Sequence, residues 1–219
     1  RPELVVDLGS GTGLSTEIWA DRAERVVGVE PDTRMSALAE GRASPNVGYV
    51  NARADSTGLA DSCAEIVTAC CSMHWMTPGP FAEIARILRP GGVFATCDVV
   101  DRSIHPKIDA ELDAVDERSG ALGFMRNRVA GRGDRIGESG FFSFVSELTM
   151  TGEEVGDADR VVGLVLSQGR VAKGLESGEW TERGLGLHKL RRVAKRVLDG
   201  RTVPFVFTYF VCVAIRSGS

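Results

Sequence analysis

Short apolar runs alternate with amphipathic stretches through the first hundred residues. Leu4–Leu8, the run within Arg25–Asp32 that ends at Glu30, Asn46–Ala52, Ala64–Ser72 and Val93–Val100 each read as a strand. Ala64–Ser72 is apolar almost without interruption, as expected of a strand covered on both faces near the middle of a sheet. Between these runs, Leu14–Asp21, Met35–Glu40 and Pro80–Leu88 have helical spacing; the last presents Phe81, Ile84, Ile87 and Leu88 on one face. "RPGG" (Arg89–Gly92) predicts a sharp turn into the fifth strand. This alternation predicts an α/β fold, a Rossmann-like doubly wound sheet.

The rhythm breaks after Val100. A polar helix is expected near Lys107–Ser119, followed by the Gly/Arg-rich stretch "RNRVAGRGDRIGESG". A connection of that length suggests a lid. A sixth strand follows at Phe141–Met150, then helices at Ala158–Gln168 and Glu182–Leu198, and a long last strand at Thr202–Arg216. One domain over 1–219 is expected, with helical lid insertions at 101–144 and 157–200 that carry substrate specificity.

Composition narrows the classes. The chain has 219 residues, a net charge of −4 and a pI near 5.5, which argues against a nucleic-acid-binding face. No apolar run reaches the roughly 18 residues of a membrane span, and no signal-peptide pattern is visible. The five cysteines lack metal-ligand spacing and sit mostly in apolar runs, so they read as reduced, buried thiols in a cytoplasmic protein. His105 and His188 have no partners at ligand spacing, so no metal site is expected.

The candidate chemistry lies at the ends of the strands. "LVVDLGSGTGLSTEIW" runs a buried strand into a turn at Gly9, Ser10, Gly11, Thr12 and Gly13, and then into a helix. Glycines there let the backbone approach a ligand closely. The pattern is G-x-G-x-G; the third glycine of a dinucleotide loop is replaced by Leu14. Asp7, two residues ahead of Gly9, would repel a pyrophosphate and attract a cation. Glu30, at the end of the second strand, is placed to accept two ribose hydroxyls. A ligand that is cationic at one end and carries a ribose fits both, and S-adenosylmethionine is such a ligand.

"VVDLGSGTG", "VVGVEPDTRM", "ADSTGLADSCAEIVTACCSMHWM" and "ILRPGGVF" resemble successive motifs of the class I S-adenosylmethionine-dependent methyltransferases. The resemblance is to the type-11 branch, which includes quinone-ring and trans-aconitate methyltransferases, and it runs from Leu4 to about Val100. It implies a seven-stranded, mostly parallel sheet whose last strand is antiparallel. It implies S-adenosyl-L-methionine as cofactor and a small-molecule acceptor at an O, N or C nucleophile. Carried over by position, Asp7 lies near the methionine amino group, and Gly9, Ser10, Gly11 and Gly13 surround the methionine moiety. Glu30, with Pro31 beside it, takes the ribose, Met35 packs near the adenosine and Cys71 lines the cofactor. The family's usual acidic adenine contact aligns with Arg53, which cannot accept a hydrogen bond from the adenine amino group. Either Asp55 takes that task or the backbone near Ala54 does. Trp75 walls the acceptor pocket. His74 is either a general base, and so the one catalytic candidate, or a histidine packed structurally beside the cofactor.

Other functions share the fold: a nicotinamide-dependent oxidoreductase, an aminopropyl transferase, a non-methylating cofactor-binding module and a cyclase. Leu14 and Asp7 oppose the first, and the second calls for extra acidic residues. The basic run Leu187–Arg196 reads as a solvated helix face, with an anion-binding role as the alternative.

Overall fold

A computed structural model of the chain describes residues 1–219 apart from 77–78, 122–126, 128 and 219. Parts of the expected lid segment fall on 122–126 and 128, outside the described residues. Seven strands form one mixed sheet: β1 (Leu4–Leu8), β2 (Arg25–Val29), β3 (Val47–Val50), β4 (Ala64–Cys70), β5 (Leu88–Ser103), β6 (Phe142–Gly156) and β7 (Val203–Arg216). Their order is β3-β2-β1-β4-β5-β7-β6. β1 pairs in parallel with both β2 and β4, and β4 in parallel with β5. β1 is buried at every position, so its Leu-Val-Val-Asp-Leu sequence needs no alternation.

Several boundaries differ from the sequence expectation for physical reasons. The helix expected over Leu14–Asp21 is α1 (Leu14–Glu17); after it, Trp19 and Ala20 donate to the carbonyls of Thr16 and Glu17, three residues back, which tightens the chain into turns. "RPGG" does not separate helix from strand. It lies inside β5, where the register against β4 slips between Ala64 and Ile66 and absorbs the extra residues. The helix α2 (Thr33–Glu40) is capped by Asp32, whose side chain accepts from the Arg34 and Met35 N–H groups. α3 is Phe81–Ile87 and α4 is Pro106–Arg118, with His105 as its N-cap and proline in its first turn.

Two compact units divide the chain. The first holds Arg1–Asp98, Val129–Thr149 and Phe210–Ser219, and the second holds Val99–Arg128 and Met150–Tyr209. In the first, Leu4, Val6, Leu8, Val67, Phe94 and Ile84 build a core that also takes Ile136 from α5 (Arg132–Glu138). In the second, α4 packs with α6 (Ala158–Leu166), α7 (Gly169–Glu176), α8 (Glu182–Leu185) and α9 (Leu187–Leu198) around Val161, Val165, Leu190, Phe205 and Phe207. The single helix expected over Glu182–Leu198 is two, because Gly186 takes a left-handed φ of 81° between α8 and α9. Among the described residues no helix is long and apolar enough to cross a membrane.

Candidate cofactor site

The site is built at the C-terminal edge of β1, β2 and β4, where an open α/β sheet binds ligands. The turn after β1 is tied down from below. Gly9 and Ser10 both donate to the Val29 carbonyl, and Gly13 donates to the Ser10 carbonyl. Gly9 has φ +68°, and a Cβ there would lie 2.5 Å from the Ser72 Cβ, so β4's trailing turn approaches closer than any side chain at this position permits. Ser72 itself donates its hydroxyl to the Leu8 carbonyl at 2.7 Å.

Asp7 sits beneath this turn. It is fully buried, and its carboxylate accepts from the hydroxyls of Ser15 (2.6 Å), Thr16 (2.8 Å) and Thr68 (2.8 Å). Burial pushes its pKa up, and the three hydroxyls pull it back. The carboxylate thus fastens β1 to the start of α1 and to β4. The three donors make it the anchor of the turn.

Glu30 stands at the lip. One oxygen accepts the Gly11 N–H at 2.9 Å and the other accepts the Asp32 N–H at 3.0 Å. Asn51 fixes the same segment by donating to the Glu30 carbonyl at 2.9 Å. The Met35 sulfur lies 4.0 Å from where a Gly11 Cβ would be, so Gly11, Glu30 and Met35 converge on one place. Pro31 is exposed beside them. Ser10 contributes backbone only: its hydroxyl is buried against Gly28 and, among the described residues, makes no hydrogen bond. Gly13 closes the turn over the ring of Tyr49, whose pKa burial raises.

The segment after β3 is held differently. Arg53 grips Asp55 in a fork, Nε at 2.9 Å and Nη2 at 2.8 Å, which holds the Asp55 carboxyl below its usual range. Ala54 packs against the core of the first unit. Asp55 therefore arrives already paired, while the Ala54 backbone stays the alternative. On β4's side, Cys71 is exposed with φ 50° and donates its N–H to the Cys97 carbonyl at 2.7 Å. A 3-10 turn, Met73–Trp75, follows. It sets the His74 and Trp75 rings 5.0 Å apart, with Trp75 59% exposed.

Sequence reasoning passed over Ser72, Thr68 and Arg132. Asp7, a carboxylate in a buried strand, requires donors, but nothing local in the sequence marks Thr68 as one, and Ser72 serves the Leu8 carbonyl instead. Asp98 also breaks an apolar strand and so calls for a cation, but nothing in the Gly/Arg-rich segment marks Arg132 as that cation. Among the described residues there is no cluster of three or more His, Cys, Asp or Glu side chains that would hold a metal.

The donor set suits a cation with a ribose better than a pyrophosphate. The turn's N–H groups are spent on carbonyls and on Glu30, α1 is a single turn, and two carboxylates flank the loop. Fold and site together define the Rossmann-like α/β class, with its ligand edge at the ends of β1, β2 and β4.

Residues 6–96 match the family model described as "Methyltransferase domain". Over 102 residues the chain is 30% identical to malonyl-[acyl-carrier protein] O-methyltransferase of Pectobacterium atrosepticum, covering 46% of this chain and 40% of that protein. Over 99 residues it is 35% identical to trans-aconitate 2-methyltransferase of Acidovorax sp., covering 43% and 37%. The matched stretch thus spans about 40% of the length of these relatives. A solved protein from Anaeromyxobacter dehalogenans, described as a type II methyltransferase, superposes with a TM-score of 0.67 over 98% of this chain and 89% of its own, at 22% identity. Residues 6–96 carry the family's methyltransferase domain, and the fold over 98% of the chain is that of a solved protein described as a methyltransferase.

Proposed function

We propose that the protein transfers a methyl group from S-adenosylmethionine to a small-molecule acceptor, leaving S-adenosylhomocysteine. The observation that carries this reading is the hydrogen bond from the Gly11 N–H to the Glu30 carboxylate, with the Met35 thioether alongside. It joins the glycine turn to an acid that suits a ribose. The matches to named methyltransferases support the same reading.

In this reading Gly9, Ser10, Gly11 and Gly13 present backbone to the methionine moiety, with Asp7 holding their turn in shape and contributing negative charge beneath it. Glu30, beside Pro31, takes the ribose hydroxyls, Met35 covers the adenosine, and Asp55 or the Ala54 backbone meets the adenine. Cys71 lines the cofactor and Trp75 the acceptor. The cofactor supplies a methyl group already activated on a sulfonium. The protein's own task is to align an acceptor and exclude water, and alignment contributes up to roughly 7–11 kcal/mol in well-ordered systems. Acceptor choice belongs to the residues outside 6–96, including the segments 101–144 and 157–200. An acidic chain suits a small acceptor rather than a nucleic acid, and the five free thiols suit the cytoplasm.

The test is calorimetric titration with S-adenosylmethionine, S-adenosylhomocysteine, NAD and NADP. Binding of the first two and neither nicotinamide cofactor is expected; a nicotinamide preference sinks the reading. Binding without transfer of a radiolabelled methyl group to any acceptor would instead favour a non-methylating member of the fold.

A further inference from the structure

We infer that Arg53 makes the base subsite a donor of hydrogen bonds, so that it takes a 6-oxopurine (hypoxanthine) as readily as adenine and leaves the 6-amino group unread. The inference rests on the methyl-transfer reading above, which brings an S-adenosyl ligand to this edge. It adds which feature of the base this chain recognises.

The strand order sets the candidate contacts in a row. In β3-β2-β1, the glycine turn follows β1, Glu30 follows β2 and residues 51–56 follow β3. Neighbouring strands lie only about 4.8 Å apart, so one nucleoside spans several strand ends. Asn51 ties the third segment to the second through its hydrogen bond to the Glu30 carbonyl at 2.9 Å. A ligand with its methionine on the turn and its ribose on Glu30 therefore carries its base toward 51–56. That segment has a defined shape. Arg53 and Ser56 form an antiparallel bridge, and the Ser56 N–H donates to the Arg53 carbonyl at 3.1 Å. Ala54, within this turn, packs against the core of the first unit, while the Arg53 and Asp55 side chains stay 71% and 45% exposed.

The two side chains act as one group. Arg53 Nε and Nη2 donate to the two Asp55 oxygens at 2.9 Å and 2.8 Å. These bonds hold the Asp55 carboxyl below its usual range and the Arg53 guanidinium above its own, so both are charged at neutral pH. Asp55 thus has each oxygen engaged and its charge balanced, which weakens it as an acceptor for a base. A guanidinium carries donors only, and those not taken by Asp55 face a ligand as donors too.

Purines differ in how they meet such a group. A 6-oxopurine presents two acceptors side by side, O6 and N7, the edge that arginine reads with a bidentate fork in guanine. Adenine presents N7 beside an amino group, so it accepts one bond there and turns a donor toward a donor. Its amino group keeps its bonds to water at this exposed place, which limits the loss. Deamination of the base therefore costs the ligand little, and the deaminated product competes with the cofactor as the ordinary product does.

The test compares two thioethers by calorimetry, S-adenosylhomocysteine and its deaminated form, S-inosylhomocysteine. The wild-type protein should bind both with affinities within about tenfold of each other. A preference for the adenosyl compound beyond that factor, the size expected when a charged acceptor reads the amino group, overturns the inference. Arg53→Ala frees Asp55 to accept from that group, so the adenosyl preference should then rise above about tenfold. An unchanged ratio in a folded Arg53→Ala also overturns it, because another group then sets the choice of base. If that variant does not fold, the wild-type ratio alone decides. Failure of both thioethers to bind overturns the methyl-transfer reading instead.

Discussion

The two compact units treat charge in opposite ways. In the first, Asp7 on β1, Asp98 on β5 and Arg132 at the start of α5 are buried, each held by named donors or acceptors. In the second, the interior around Val161, Val165, Leu187, Leu190 and Phe205 is apolar, and Asp116, paired with Arg102, is its main buried charge among the described residues. There α9 turns Leu187, Leu190, Ala194 and Leu198 inward and exposes Lys189, Arg192, Lys195 and Arg196. A buried charge must be compensated by geometry, so it persists where the geometry serves a ligand. An apolar helical core needs only volume and periodicity. The first arrangement specifies a site; the second specifies packing.

The contrast is broken most strongly in the second unit. Leu190→Ala empties a fully buried position and should cost about 2–5 kcal/mol, read from chemical denaturation. Affinity for S-adenosylhomocysteine, measured where the variant is still folded, should stay within about twofold, since Leu190 packs in the core of the second unit and the glycine turn belongs to the first. A large loss of affinity would mean that the helical core also shapes the cofactor site.

The converse change belongs at the lip of the first unit. Glu30→Ala should leave the protein folded, with a modest fall in the denaturation midpoint for the lost bonds from the Gly11 and Asp32 N–H groups, and weaken cofactor binding by about 1.5–3 kcal/mol, the range for hydrogen bonds to a charged group. Calorimetry reads this directly. Unchanged affinity would place the ribose elsewhere.

The same contrast explains what could be read from the residues alone. β1, β4 and the turn between β1 and α1 were legible because a buried strand and its glycines leave a dense local signal. The place of Glu30 beside the glycine turn was legible because strand ends line one edge of this fold. The partners of Asp7 were not, since Thr68 lies 61 residues away and only the β1–β4 pairing brings it close. Arg132 was hidden for the same reason: its sequence neighbours are polar, and its burial is set by β5. The break at Gly186 was missed because both halves keep helical periodicity across it.

A pH measurement sharpens the picture within the first unit. Glu83 accepts from the Thr57 N–H and hydroxyl and from Arg86, and Arg86 above all lowers its pKa from 4.5 to about 2. A depressed carboxylate stabilises the fold above its unfolded pKa, and that stability is lost as pH falls from about 4.5 toward 2. Asp7 acts with the opposite sign: its raised pKa makes the folded state retain a proton, so its contribution falls as pH rises past 3.8. Glu83→Gln should flatten the acid loss and cost about 1 kcal/mol at neutral pH. Acid denaturation curves of the two proteins test this, and an unchanged acid slope would shift the acid sensitivity to another carboxylate.

The smallest effect is expected on the outer face of α9. Lys189 pairs with Glu111 at 2.8 Å, but Arg192, Lys195 and Arg196 are exposed and make no ion pair among the described residues. Lys195 and Arg196 lie in the last turn, where a cation gains a few tenths of a kcal/mol from the helix dipole. Replacing Arg192, Lys195 and Arg196 together with alanine should therefore change stability by less than about 1 kcal/mol. Salt should erase most of that difference, because exposed charges are screened within about 10 Å at 0.1 M. Cofactor affinity should not move. If methyl transfer nonetheless falls while the fold and cofactor binding hold, with KM rising and kcat steady, the basic face would be guiding an anionic acceptor. The second unit would then bear on function through its surface charge as well as its packing.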